Sequence, residues 1–262
     1  MPYTSTGAIR LHKAFTSRFV DVSRDIAVYL PPDYDSSPGR RYPVLYLHDG
    51  QNLFDAATAF LGNEWGLDEV ADDLIRTGQI EPLIIAGIYN TGEKRLAEYT
   101  PVRDRRGRGG RAQAYGRMIV EELKPFIDSR YRTLPDVQYT GLGGSSLGGL
   151  VTLYLGMKYP ALFGKLIVMS PAVWWANRAI LKEVRKLPRK FGQKIWLDIG
   201  TCEGSNPELV VNQAIELKDA LIEKGWELGV DLAFMQDEGA AHNEKAWGQR
   251  IRYALQFLFP LR

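Results

Sequence analysis

One cysteine, three histidines and no long apolar run are the scarcities that bound this chain of 262 residues. With Cys202 alone, no internal disulfide can form and no cysteine-based zinc site can be assembled. No segment approaches the roughly 20 apolar residues of a membrane span, and the opening MPYTSTGAIRLHKAF lacks the apolar centre of a signal peptide. A cytoplasmic protein without membrane contact is therefore expected. Charge of one sign is also lacking. The 33 Lys+Arg and 31 Asp+Glu leave +2, so there is no global electrostatic case for nucleic acid or a membrane surface. What remains is 45% hydrophobic, 24% charged and 11% aromatic, the balance of an ordinary globular protein. Wholesale disorder, collagen and coiled coil are excluded.

Apolar runs alternate with helix-period segments. The runs at 44–48, 83–89, 137–144, 166–170, 195–200 and 230–236 are mostly continuous, as suits strands buried on both faces of a parallel sheet. Residues 18–31 read as an N-terminal hairpin or edge strand. Helical stripes fall at Leu67, Val70, Ala71 and Leu74; at Ile119, Leu123 and Phe126, with Pro125 a kink; and at Val210, Ala214, Leu217 and Leu221, opened by Asn206-Pro207 and closed by Gly225. Trp247, Ile251, Ala254 and Leu258 form the last. This alternation, without repeat or linker, predicts a single doubly wound α/β domain over 1–262. The Gly- and Arg-rich stretch 103–111 is expected to be a loop that does not pack.

The strongest local signal is TGLGGSSLGG at 140–149, where Gly144-Ser145-Ser146-Leu147-Gly148 matches G-x-S-x-G. A strand precedes it and a small-residue helix follows. That order pushes a serine hydroxyl out above a sheet, so Ser146 is the candidate nucleophile. A dinucleotide-binding reading fares worse. In 141–146 serine stands at the third glycine position and no acidic residue ends the next strand, while the similar run 107–112 follows no strand.

A serine needs a general base. In α/β-hydrolases the chain order is nucleophile, acid, histidine. Of His12, His48 and His242, only His242 follows Ser146, on the loop before the last helix. The acid belongs on the loop after 195–200, where Glu203 is the first carboxylate. Asp198, Glu208, Asp237 and Glu238 are weaker choices. The oxyanion hole would take the N–H of Leu147 and one from 49–52, with Gln51 the donor.

With these pieces assembled, the chain resembles an esterase family of α/β-hydrolases that includes ferric-siderophore esterases, feruloyl esterases, S-formylglutathione hydrolases and mycolyltransferases. The resemblance is carried by LHDGQNLFD (47–55), EWGLDE (64–69), GIYN (87–90), EYTP (98–101), GGSSLGGL (143–150), IGTCEG (199–204) and GAAHNEKAW (239–247). It implies the α/β-hydrolase fold, a mostly parallel twisted sheet of about eight strands with helices on both faces. It also implies the same triad and the same oxyanion donor at Gln51, with Glu203 where many members carry Asp. It does not choose the substrate.

Only about twenty residues separate VMSPAVWW from KIWLDIG, room for one helix and no large lid. An open cleft and soluble esters are expected. Trp174 and Trp175, past a strand end on the catalytic edge, and Trp65 are candidates for lining a substrate pocket. The arginines of 103–111 could grip carboxylates or an anionic siderophore, although without interleaved aromatics a nucleic-acid role is unsupported.

The expectation is a serine carboxylesterase acting on small soluble esters with short acyl chains, without metal or cofactor. Rival readings are a feruloyl, acetyl-polysaccharide or siderophore-lactone esterase and, from another class, a catalytically silent hydrolase relative that binds a ligand or partner. The sequence leaves the oligomeric state and the physiological acyl acceptor open.

Overall fold

The computed structural model describes residues 8–261. Eight strands form one sheet in the order β1-β2-β4-β3-β5-β6-β7-β8. They are β1 (Ala8–Phe15), β2 (Arg24–Leu30), β3 (Val44–His48), β4 (Ile84–Ile88), β5 (Thr140–Ser145), β6 (Lys165–Met169), β7 (Lys194–Gly200) and β8 (Leu232–Asp237). From β4 through β8 every neighbour is parallel. The pairs β1·β2 and β2·β4 are antiparallel. The expected hairpin thus exists, but its outer strand begins before residue 18. Half-exposed β1, with Arg10, His12 and Lys13 among its side chains, shows only a weak apolar pattern, as an edge strand tolerates.

The continuous apolar runs follow from burial on both faces. In β3, Val44 and Tyr46 enter one core while Leu45 and Leu47 enter the other. The first core packs against α3 (Ala112–Arg117), α4 (Lys124–Arg130), α5 (Leu147–Lys158), α6 (Trp175–Lys186) and α7 (Pro207–Glu223); the second packs against α1 (Leu67–Arg76) and α8 (Glu244–Leu258). Short α2 (Arg95–Glu98) lies between β4 and α3. Asn206 caps α7 by accepting the N–H of Leu209. Asn243 caps α8 by accepting that of Ala246. The kink expected at Pro125 takes the form of a π-helical stretch, Met118–Leu123, joining α3 to α4. A proline without an N–H breaks the i→i−4 ladder there, and the wider turn re-registers it. Between β6 and β7 the only helix is α6, so that connection carries no large lid.

Candidate active site

Ser146 sits between the end of β5 and the first residue of α5, at φ 59° and ψ −121°. That conformation is costly for any residue with a side chain and persists because the turn is over-determined. The Ser146 N–H donates to Met169 O, and its carbonyl accepts from Leu150 and Ala172. Gly144 must lack a Cβ: one there would lie 3.1 Å from the carbonyl carbon of Gly148 and from the His48 ring.

His242 bridges two of the other predicted residues. Its Nε2 is 2.9 Å from Ser146 Oγ, and its Nδ1 is 2.6 Å from Glu203 Oε2. The loops that carry Glu203 and His242 are laced together: Thr201 N–H donates to Asp237 O, Cys202 N–H to Ala240 O, and Gly239 N–H to Thr201 Oγ1. Glu203 is 1% exposed. Its Oε1 accepts from the Gly200 N–H at 2.8 Å and from Ser170 Oγ at 2.5 Å. Burial alone would raise this carboxyl, but hydrogen bonds from His242, Ser170 and Gly200 outweigh it and hold it below the usual carboxylate range.

Behind Glu203 lies a network that sequence reasoning missed. Buried Arg250 reaches Ser170 Oγ at 2.8 Å, Asp198 at 3.1 Å, Asp237 at 3.4 Å and Glu203 at 3.5 Å. The Trp247 indole N–H also donates to Ser170 Oγ, and the Trp247 ring meets His242 edge-to-face. A signal existed: Arg250 interrupts the apolar stripe of α8, where a charge faces the core. Two of the weaker acid choices are engaged here. Asp198 and Asp237 bind Arg250, and neither contacts His242. The other histidines are likewise apart, His12 bonded to the Tyr131 hydroxyl and buried His48 to the Tyr115 hydroxyl.

Opposite Ser146 stands the turn Asp49–Leu53. Asp49 is left-handed at φ 58° and carries a carboxylate clamped by Arg95 at 2.7 and 2.8 Å and by Asn90 at 2.7 Å. The N–H groups of Asn52 and Leu53 bond within the turn. That of Gln51 has no partner among the described residues, and Gln51 lines the cavity above Ser146. The Gln51 side chain accepts the Asn90 N–H. Leu147 opens α5, where an N–H has no intrahelical carbonyl to meet.

The cavity has a volume of about 410 Å³. Besides Ser146 and His242 its walls include Asn52, Phe60, Arg95, Glu244 and Trp247. Burial and neighbouring Asp49 raise the Glu244 carboxyl. The three tryptophans singled out from sequence are not among these walls. Trp65 is buried against Trp247. Trp175 is buried because its indole N–H donates to Val102 O. Trp174 is exposed and does not line the cavity. Phe60 and Trp247 supply the aromatic lining instead.

A family model described as "Putative esterase" matches residues 17–258. This chain belongs to that family. It is a carboxylic ester hydrolase with the α/β-hydrolase fold. Among relatives, YbbA of Bacillus subtilis is 27% identical, covering 97% of this chain and 96% of its own. The ferri-bacillibactin esterase BesA of the same organism is 28% identical over 84% of this chain and 80% of its own. A solved structure of the BES protein from Bacillus cereus superposes with a TM-score of 0.74 at 23% identity, covering 98% of this chain and 95% of that one. Among the described residues no helix is long and apolar enough to cross a membrane.

Proposed function

We propose that this esterase hydrolyses soluble, short-chain acyl esters through an acyl-enzyme, with Ser146 as nucleophile, His242 as general base and Glu203 as the acid that orients it. The observation that carries the reading is the continuous hydrogen-bond chain from Ser146 Oγ through both ring nitrogens of His242 to Glu203. Ser146 Oγ attacks the ester carbonyl while its proton passes to His242 Nε2. Ionised Glu203 fixes the Nδ1–H tautomer and stabilises the imidazolium. The oxyanion meets the N–H groups of Gln51 and Leu147. The Ser146 N–H, already bonded to Met169 O, is not a donor. His242 then protonates the leaving alcohol, and a water, deprotonated by the same histidine, clears the acyl group. The absence of a large insertion between β6 and β7 and the small cavity favour short acyl chains over micellar fat.

The test is a panel of p-nitrophenyl esters from acetate to decanoate, alongside fluorophosphonate labelling of wild type and Ser146→Ala. Activity peaking at short chains, with both activity and labelling lost in the variant, is expected. A folded wild-type protein that neither labels nor hydrolyses would overturn the mechanism. A second reading, a siderophore-lactone esterase, is favoured by the similarity to BesA. A catecholate trilactone added to the panel separates the two by comparing kcat/KM with the best short ester.

A further inference from the structure

The Arg-rich segment expected to be an unpacked loop is a folded turn. Arg103 and Gly109 form a β-bridge, and the Asp104 carboxylate collects the N–H groups of Arg106 and Arg108 together with the Arg108 guanidinium. Gly109, at φ 88°, packs where no side chain fits: a Cβ would lie 2.7 Å from Trp175 Cζ2 and against Thr100 Oγ1. Trp175 in turn donates to Val102 O. The turn is therefore pinned to the start of α6.

Between the two lies a cleft of about 340 Å³ walled by Arg103, Asp104, Arg105, Arg106, Ala176 and Asn177. Its charge is uncompensated. Asp104 is taken up by Arg108, while Arg103, Arg105 and Arg106 have no carboxylate partner among the described residues. The facing wall is strained, with Ala176, Asn177 and Arg178 all left-handed at φ 46°, 56° and 58°. Such residues are individually unfavourable by about 1–2 kcal/mol, and strain of this kind clusters at binding sites. Arg178 is tied back by Glu216 at 2.8 and 3.0 Å.

The cleft is tied to the nucleophile turn by a short stretch of chain. The Ala172 N–H donates to the Ser146 carbonyl, and four residues later Ala176 enters the cleft wall, a reach of at most about 14 Å. Exposed Trp174 lies on that stretch of chain. We propose that this cleft is a subsite for an anionic group, a carboxylate or a phosphate, carried by the ester substrate at a distance from the scissile bond. Guanidinium groups bind both anions through paired N–H donors, and the Asn177 amide adds another. The proposal rests on Ser146 as nucleophile and specifies the substrate of that site further.

The experiment compares three p-nitrophenyl esters of ten-carbon chains, ended by a carboxylate (p-nitrophenyl hydrogen sebacate), a phosphate or a neutral methyl ester. Within each protein the ratio of kcat/KM, charged over neutral, is the readout. In wild type at low salt a ratio of about ten is expected for at least one anion, through KM, as a few partly exposed charge pairs provide. The anion with the higher ratio identifies the group. The ratio should fall towards one in the triple variant Arg103→Gln/Arg105→Gln/Arg106→Gln and in 0.5 M salt, where screening is strong. A ratio near one for both anions in wild type, or a ratio unchanged in the variant, overturns the subsite. Calorimetric binding of p-nitrophenyl hydrogen sebacate to Ser146→Ala, with and without the three glutamines, reads the subsite without turnover. If wild type hydrolyses none of these ten-carbon esters, p-nitrophenyl acetate hydrolysis and fluorophosphonate labelling decide the triad separately, and this binding comparison still decides the cleft: binding lost with the arginines supports it, and equal binding refutes it.

Discussion

Acid should destabilise this protein through a residue that takes no part in the proposed chemistry. His48 ends β3 beneath the nucleophile turn, fully buried, with Nδ1 on the Tyr115 hydroxyl and no partner for Nε2 among the described residues. A second proton would put an N–H donor where no acceptor stands, against the backbone that holds Ser146. Burial accordingly pushes His48 down to about 3; Asp49 opposes the shift, and Arg95 and Arg24 add to it. In the unfolded chain the same group titrates near 6.5. The unfolded state therefore binds more protons below that pH, so this contribution to stability is present above about 6.5 and is lost as pH falls towards 3. Integrated from pH 7.5 to 5, the loss is about 2 kcal/mol. The perturbation is His48→Gln, whose amide can still meet Tyr115 and does not titrate. Urea unfolding of both proteins at pH 7.5, 6 and 5 is the assay. The variant starts less stable, because the amide fits the site imperfectly, but its curve should be flatter by about 2 kcal/mol over that range. Parallel curves would refute the reasoning, since the pH dependence would then belong to other groups.

Two further perturbations address the site directly. Glu203→Gln keeps the size of the acid but not its charge, and should lower kcat on p-nitrophenyl butyrate by about 10³–10⁴ with little change in KM; a loss below tenfold would remove Glu203 from the proposed role. Gly50→Ala would place a Cβ 2.6 Å from Gly87 O and Ile88 N, displacing the turn that carries Gln51. A stability loss of about 1–3 kcal/mol by urea titration, with kcat falling further than the butyrate KM rises, is expected.

The central strands were legible because each residue of a doubly buried strand must be apolar whichever way it points. Val44–His48 needs no partner information to be recognised. β1 was not legible, since an edge strand with one wetted face can carry Arg10, His12 and Lys13 at little cost. Ser146, His242 and Glu203 could be read from order alone, because each lies just past a strand end on the same edge, and the structure brings them into hydrogen-bond contact. The tryptophans could not. Whether an indole lines a pocket or a core depends on which distant segments pack against it: Trp175 donates to Val102 O, a contact between segments over seventy residues apart, and Trp65 packs on Trp247. The Arg-rich turn failed for a related reason. Its glycines read as freedom, whereas Gly109 is there to let backbone approach Trp175.

The buried charges around Arg250 explain why the proposed acid, with almost no solvent contact, can stay ionised. One guanidinium faces both Asp198 and Glu203, and the two carboxylates are not equivalent. Glu203 receives hydrogen bonds from Gly200, Ser170 and His242, and these hold its carboxyl low. Burial raises Asp198 to about 6 despite Arg250, Trp196 and the Ser170 N–H. As pH falls, a proton entering this cluster is accepted by Asp198 first. That protonation removes the competing negative charge and leaves the Arg250 field to Glu203. Asp198 lies inside a strand, in a place where the sequence pattern asks for an apolar residue. Its presence there is matched by partners on three sides: Arg250, the Trp196 indole N–H and the Ser170 N–H.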